Sequence, residues 1–512
     1  MNAPGPQGVG LDIRLVPAAL AGWAVAAAGI LWGPWSSACA LAAAVAATAI
    51  ATRWCQRRDQ ETQSTWPSVL AVVAFGIAFA ISIGLRVHDL GQHPIAARYG
   101  TTVTVVVSPT ESPRLLGGAR LMFRGTLRGL DGTESHGRVV VFASAAGYGE
   151  LTAGRPATFR ARVGRPTRPE LTVAVLSATG APTIGEAPAW QRVAAGVRAE
   201  FAEAARAVLP ADHAAMLPAL VLGDTSALTS QTTAEFRSAG LTHLTAVSGA
   251  NVTIVCGAVL LAAALVGPRA AAAAAALALV AFVAVVQPSA SVLRAAVMGG
   301  ITLFAIVSHR RRQAVPALAA SVLLLMIVAP ELAVDLGFAL SVVATAALVV
   351  IAPIWSQRLV GRGWPKLLAD AVAVAFAAQL VTAPIVAGMS GALSLIAVAA
   401  NLAVAAVIAP ITVIGTAAAA LSALWPSAAR LLIRFTGPEL WWLVHVARWA
   451  SAVPGATVPM PSGLPGVACV AAAGLAAVVL WRWRWGRGTV AVALLCLVAW
   501  ASGRGVGAVG PP

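Results

Sequence analysis

The sequence predicts a mainly α-helical, polytopic membrane protein with about 10–13 transmembrane helices and a small extracytoplasmic β-barrel near the N-terminus. Three observations lead there. First, 59% of the 512 residues are hydrophobic and only 11% are charged, with a mean hydropathy of +0.83; a soluble domain carries about 25% charge. Second, several windows of about 20 residues hold no charge at all, the mark of spanning helices. Third, residues 86–188 differ in kind, because their apolar runs shorten to strand length and are separated by turn residues.

Residues 1–85 hold three apolar segments: 18–33, 38–52 and 67–85. The loop between the second and third carries Arg53, Arg57 and Arg58. Positive loops face the cytoplasm, so the N-terminus is expected inside and residue 86 outside. Within 86–188, the runs Thr101–Val107, Arg120–Leu127, Arg138–Phe142, Ala157–Val163 and Leu171–Leu176 read as strands. About five short strands suit a barrel of the oligonucleotide/oligosaccharide-binding (OB) type. Phe123 and Phe142 are expected in its core. Arginines outnumber acids here, among them Arg120, Arg124, Arg128, Arg160, Arg162 and Arg165. A basic barrel surface suits single-stranded nucleic acid; a solvated structural domain is the other outcome.

Residues 189–217 open on an amphipathic helix. Trp190, Val193, Val197, Phe201 and Ala204 form its stripe, expected to lie on the membrane or on the barrel. Residues 218–505 form the main core, with apolar segments near 252–266, 270–287, 292–308, 314–329, 336–353, 367–387, 395–424, 430–450, 464–481 and 488–502. The basic loops alternate with this count if 395–424 crosses once, broken around Pro410.

Within 218–256 polar residues crowd an apolar run. Asp224, His243, Ser248, Gly249 and Asn251 lie where a membrane is entered. Polar groups at that depth are costly unless they face protein or water. Arg294, Gln379 and Asn401 are polar at depth elsewhere in the core. A hydrolytic pairing of His243 with Ser248 fails on geometry, since five residues turn a helix by about 500° and leave the side chains about 140° apart. The histidines and cysteines show no metal spacing. No catalytic residue, metal or cofactor is expected.

These residues carry a family resemblance. Gly223-Asp224, followed by Gly240-Leu241, His243-Leu244 and Ser248-Gly249, resembles the hallmark of the ComEC-type competence proteins. Pro288-Ser289 before Arg294-Ala295 resembles a further element, with an extra residue pair ahead of the arginine. Asp335-Leu336-Gly337-Phe338 with Leu340-Ser341, Gln379-Leu380 with Thr382 and Pro384, and Ser394-Leu395 with Asn401-Leu402 follow in the family's order. The resemblance implies a bacterial plasma-membrane channel for uptake of single-stranded DNA. Asp224, His243, Ser248, Gly249, Asn251, Arg294, Gln379 and Asn401 would then border the path, and the arginines of 86–188 would hold the strand. Asp224 is expected to cap a helix or to pair with Arg237 or Arg294. Implied partners are a DNA receptor, a cytoplasmic translocase and a separate nuclease. Many members carry a C-terminal metallo-β-lactamase-like domain, and this chain is expected to lack one. Where many have Leu-His after Ser-Gly, this chain has Ala250-Asn251. A transporter of another solute or lipid, and a membrane-embedded enzyme using His243, are the alternatives.

Overall fold

The computed structural model describes residues 12–58, 66–111, 113–117, 119–149, 151–166, 170–286, 289–308 and 313–481. The expected last segment at 488–502, the arginine clusters 310–312 and 482–487, Arg168 and Gln287-Pro288 lie outside them. In chain order the helices are α1 (Val16–Trp32), α2 (Pro34–Arg58), α3 (Trp66–Gln92), α4 (Ala145–Tyr148), α5 (Ala189–Val208), α6 (Ala211–Leu222), α7 (Ser230–Ser238), α8 (Gly249–Ala262), α9 (Pro268–Val286), α10 (Ala290–Val307), α11 (Ala314–Val328), α12 (Leu336–Val360), α13 (Lys366–Ser390), α14 (Ala397–Ser422), α15 (Pro426–Phe435), α16 (Gly437–Ala452) and α17 (Leu464–Trp481). The strands are β1 (Thr102–Pro109), β2 (Arg114–Gly117), β3 (Arg120–Leu130), β4 (Thr133–Ser144), β5 (Ala157–Gly164), β6 (Ala174–Ile184), β7 (Ala392–Ser394) and β8 (Thr457–Pro459).

Among the described residues, seven helices are long and apolar enough to cross a membrane, lying in α2, α3, α9, α10, α12, α13 and α14; α1, α6, α8, α11 and α17 are shorter apolar helices. The chain is a multi-pass membrane protein. Two segments are punctuated differently from expectation. The 395–424 stretch is one continuous helix with Pro410 inside it. The 430–450 stretch is instead broken, into α15 and α16, where Gly437-Pro438 follows Thr436; proline fits the first helical turn but not a helix interior.

The chain divides into two compact units, residues 1–194 with 309–338, and residues 195–308 with 339–512. In the first unit α1 packs on α2, α3 and α11. Trp23 on α1 donates from Nε1 to the Ala333 carbonyl at 2.8 Å and meets the Phe338 ring at 5.4 Å. α3 runs on to Gln92, past the expected boundary at 85, because Leu85, Val87 and Leu90 continue its apolar pattern.

Five strands of this unit close a barrel. β1 pairs with β5, β5 with β6, β6 with β4, β4 with β3, and β3 returns to β1. Every pairing is antiparallel except β4 with β6. β2 is a short addition on the edge of β3. With β1, β3, β4, β5 and β6 counted as strands one to five, this is the connectivity of an OB-type barrel. The β3–β4 hairpin turns at Asp131-Gly132, both at positive φ, as a two-residue primed turn requires.

Alternation sets the two faces of the wall. On β3, Leu121, Phe123 and Leu127 point inward and are buried with Val105, Val141, Phe159 and Leu176. Phe142 was expected in this core as well. It lies instead on the outer face of β4, half-buried, opposite Met122, because it is odd-registered against Val139, Val141 and Ala143. The two phenylalanines therefore respond differently to truncation. Phe123→Ala is expected to destabilise the barrel by about 3–5 kcal/mol, and Phe142→Ala by clearly less. Hydrogen-exchange protection of β3 and β4 amides in the full chain reads the difference.

In the second unit the core gathers α5 to α10 with α14 to α16. α5 corrects the amphipathic expectation in part. Its C-terminal residues Phe201, Ala204 and Ala205 are buried in this core, whereas Trp190 and Val193 at its N-terminal end stay exposed. Arg198 donates from Nη1 to the Val285 carbonyl at 2.7 Å, which satisfies a carbonyl left open at the end of α9. Surrounding protein lowers the pKa of this guanidinium and the Asp224 charge opposes the shift. Arg448 on α16 ties α6 and α7 through Asp212 and Glu235.

Candidate functional site

The polar stretch after α6 is built from two helix stops. α6 ends at Gly223 in the left-handed conformation, whose N–H bonds the Ala219 carbonyl at 3.0 Å. Asp224 then accepts from Ser226 N at 3.1 Å through Oδ1. It caps this turn; among the described residues it forms no ion pair with Arg237 or Arg294. α7 begins with Thr229 accepting from Thr232 N and stops at Gly240. There Leu241 N bonds the Phe236 carbonyl at 2.8 Å, and Phe236 and Leu241 are both fully buried. This is a Schellman-type end with its apolar contact. Gly240 has φ +71, and a Cβ on it would lie 2.4 Å from the Ala397 Cβ. Only glycine meets both demands.

The short 3₁₀ turn Thr242–Leu244 carries His243. Its ring is exposed. Protein packed around it nonetheless desolvates it enough to lower its pKa from the ordinary histidine value, with the Gly240 carbonyl opposing. His243 and Ser248 lie on separate elements, the 3₁₀ turn and the start of α8.

The break is held from β7 and from the first turns of α14. Ser394 donates to the Ser238 carbonyl at 2.7 Å, and Asn401 Nδ2 reaches the Gly240 carbonyl at 3.4 Å and the Ala397 carbonyl at 2.8 Å. These residues come from two distant motifs, and the fold brings them onto one turn.

A second cluster forms at the start of α8. Ser248 is its N-cap residue but does not cap; its hydroxyl donates to Asn251 Oδ1 at 3.2 Å. Asn251 Nδ2 donates to the Leu220 carbonyl at 2.8 Å. At 6% exposure, Asn251 is a strut between α8 and α6 rather than a wall residue. Arg294, in the second turn of α10, is 5% exposed. Its Nε donates to Ser341 Oγ at 2.9 Å, and Nη1 lies 3.2 Å from Met298 Sδ. A Cβ on Gly249 would lie 2.9 Å from Nη2, so glycine at 249 leaves room for the guanidinium. Ser341 stands in a motif quoted from the sequence, but only the fold shows that it meets Arg294. Gln379 on α13 is half-buried and forms no hydrogen bond among the described residues; it joins neither cluster.

On the barrel, Arg120, Arg124 and Arg128 alternate along the outer face of β3. Opposite them on β4 stand Ser144, Val140 and, across from Thr126, Arg138. Arg138 was not singled out from sequence and Phe142 was assigned to the core; the register of β4 on β3 puts both on this outer face. Glu170 lies 3.9 Å from Arg124, and Glu331 pairs with Arg138. Burial lowers the Arg138 pKa first, and repulsion by Arg124 adds to it. Arg160 and Arg162 point outward from β5, which β1 separates from β3. Arg165, just after β5, sits over the Tyr99 ring at 5.7 Å.

Fold and site together define a class: a polytopic membrane protein with an OB-type barrel, whose core is interrupted by polar helix breaks held by interhelical hydrogen bonds. Residues 220–485, just over half of the chain, match the family described as Competence protein, and the chain belongs to that family. Neither the curated proteins nor the solved structures contain a match. No group of three histidine, cysteine or acidic side chains that could hold a metal occurs among the described residues.

Proposed function

We propose that the protein is the channel through which a single DNA strand crosses the bacterial plasma membrane during natural transformation. The N-terminus is read as cytoplasmic and the barrel as extracytoplasmic, because the positive residues Arg53, Arg57 and Arg58 gather at the C-terminal end of α2. The barrel receives the strand first. The observation that carries this is the outer β3–β4 face, where Arg120, Arg124, Arg128 and Arg138 surround Met122 and Phe142. In OB-type barrels the second and third strands, with the loops after the first and fourth, form the oligonucleotide surface. β3 and β4 are those strands, and Arg165 stands on the second of those loops. Arginine holds phosphates and an aromatic face stacks bases, a combination that tolerates any sequence.

Within the membrane core, His243, the freed backbone around Gly240, Ser248, Gly249 and Arg294 border the path. Gln379, polar and without a hydrogen-bond partner among the described residues, is a further wall residue. Asp224, Asn251 and Asn401 hold the breaks in shape. The protein works with a DNA receptor, a cytoplasmic translocase and a nuclease.

The test is equilibrium binding of the detergent-solubilised full chain to single-stranded and duplex oligonucleotides across a salt series. Single strands are expected to bind more tightly, with affinity falling steeply as salt rises. Absence of single-strand binding at low salt would remove the barrel from this role.

A further inference from the structure

Arg294 is a buried charge in a candidate spanning helix, and its surroundings do not neutralise it. Two of its nitrogens meet uncharged partners, Ser341 Oγ and Met298 Sδ. Among the described residues no carboxylate lies within ion-pair distance of it, and Nη2 donates to no protein atom. Nη2 instead points at the first residue of α8, 2.9 Å from where a Gly249 Cβ would sit.

That end of α8 is positive as well. A 14-residue helix presents partial positive charge and open N–H groups at its N-terminus. A serine in the N-cap position normally accepts from one of them. Ser248 does not; its hydroxyl is committed to Asn251 Oδ1. The Asn251 N–H meets the Ser248 carbonyl at 3.1 Å, while those of Gly249 and Ala250 meet no acceptor among the described residues, and Ala250 is exposed. Two positive groups held together in a low-dielectric core repel one another. A buried cation facing an uncapped helix N-terminus is the donor set of an anion site.

We propose that Arg294 and the first turn of α8 bind a single phosphodiester phosphate inside the membrane-spanning core. The site rests on the strand-channel function above and adds a step to it: a phosphate of the passing strand is held by Nη2 and by the N–H groups of Gly249 and Ala250. Ser341 keeps the guanidinium aimed. One monoanionic phosphate at a time matches the single cation available, and a lone arginine lets the strand leave again. A phospholipid headgroup offers the same phosphodiester chemistry.

The test uses the full chain in a maltoside detergent, which contains no phosphate. A fluorescent single-stranded oligodeoxynucleotide is titrated over a salt series against wild type, Arg294→Gln and Gly249→Ala. The second variant keeps the charge, adds a good helix former and forces Nη2 to move, so it serves if Arg294→Gln does not fold. One lost phosphate contact is expected to reduce the slope of log affinity on log salt by about 0.7, and both variants are expected to show that loss. An oligonucleotide with uncharged methylphosphonate linkages is expected to show no difference between the chains. In a second arm phosphatidylglycerol is added; competition with DNA in wild type and not in Arg294→Gln assigns the site to a headgroup and still supports it. Equal slopes for wild type and folded Gly249→Ala, with no lipid effect on either, overturn the site while leaving the channel function standing. A wild-type chain that binds no DNA sinks the channel function instead, and direct binding of labelled phosphatidylglycerol to wild type against Gly249→Ala then decides the site, equal binding overturning it.

Discussion

Alanine at Arg120, Arg124 and Arg128 together is expected to flatten the salt dependence of single-strand binding. Each phosphate contact with a single strand contributes about 0.7 to the slope of log affinity on log salt, so three lost contacts remove about 2 units. The three side chains alternate along the outer face of β3, within reach of one extended backbone. The matching double variant at Arg160 and Arg162 should lose less. Those residues stand on β5, beyond β1 from the β3–β4 face, where a strand arrives only by wrapping the barrel. Measured by fluorescence anisotropy over a salt series, equal losses for the two variants would show that the positive charge acts diffusely rather than as a face.

Gly240→Ala is expected to be the most damaging single substitution in the membrane core. Placing alanine at φ +71 costs about 1–2 kcal/mol, and pressing its methyl into Ala397 adds about 1–3 kcal/mol. The turn it would distort carries the carbonyl that Asn401 reaches and leads directly into the 3₁₀ turn of His243. Gly257→Ala on α8 is the control, because a Cβ there meets nothing within 4 Å. Alanine in a helix interior is better than glycine by about 1 kcal/mol, so this variant is expected to be neutral or slightly stabilised. The thermal unfolding midpoint of the solubilised chain distinguishes them, and a Gly240→Ala midpoint at or above wild type would contradict the packing described here.

The barrel was legible because its signals are local. Alternation of apolar residues, the Asp131-Gly132 turn and strand-length runs each reside within a few neighbouring positions. What failed there was the phase of one strand. Phe142 looked like core because an aromatic in a short apolar run usually is, and only the register of β4 on β3 shows which face it takes. In the membrane core, hydropathy located the apolar stretches but not their breaks. Pro410 sits within a continuous helix, while Gly437-Pro438 divides one. The difference lies in context: a proline is tolerated inside a helix when neighbours satisfy the freed carbonyl, which a single sequence does not display.

The site was legible as a set of residue types and not as an arrangement. Polar residues at membrane depth are expensive, so Asp224, His243, Ser248, Asn251, Arg294, Gln379 and Asn401 stood out as a group. Their roles then diverge. Asn251 is buried on the Leu220 carbonyl, Asn401 braces the Gly240 turn, and Asp224 closes a loop. Arg294 meets Ser341 across a sequence separation that no helical periodicity spans. Long-range pairings of this kind depend on which helices become neighbours, and composition and period do not carry that information.

The central claim is that this chain carries DNA across the membrane rather than merely holding it at the surface. The direct measurement follows labelled transforming DNA in a transformable host from which this gene has been deleted. Surface-bound label is expected to persist while the nuclease-protected, internal fraction falls to background, and wild-type chain supplied in trans is expected to restore it. Internal label at the normal level in the deletion strain would contradict the account.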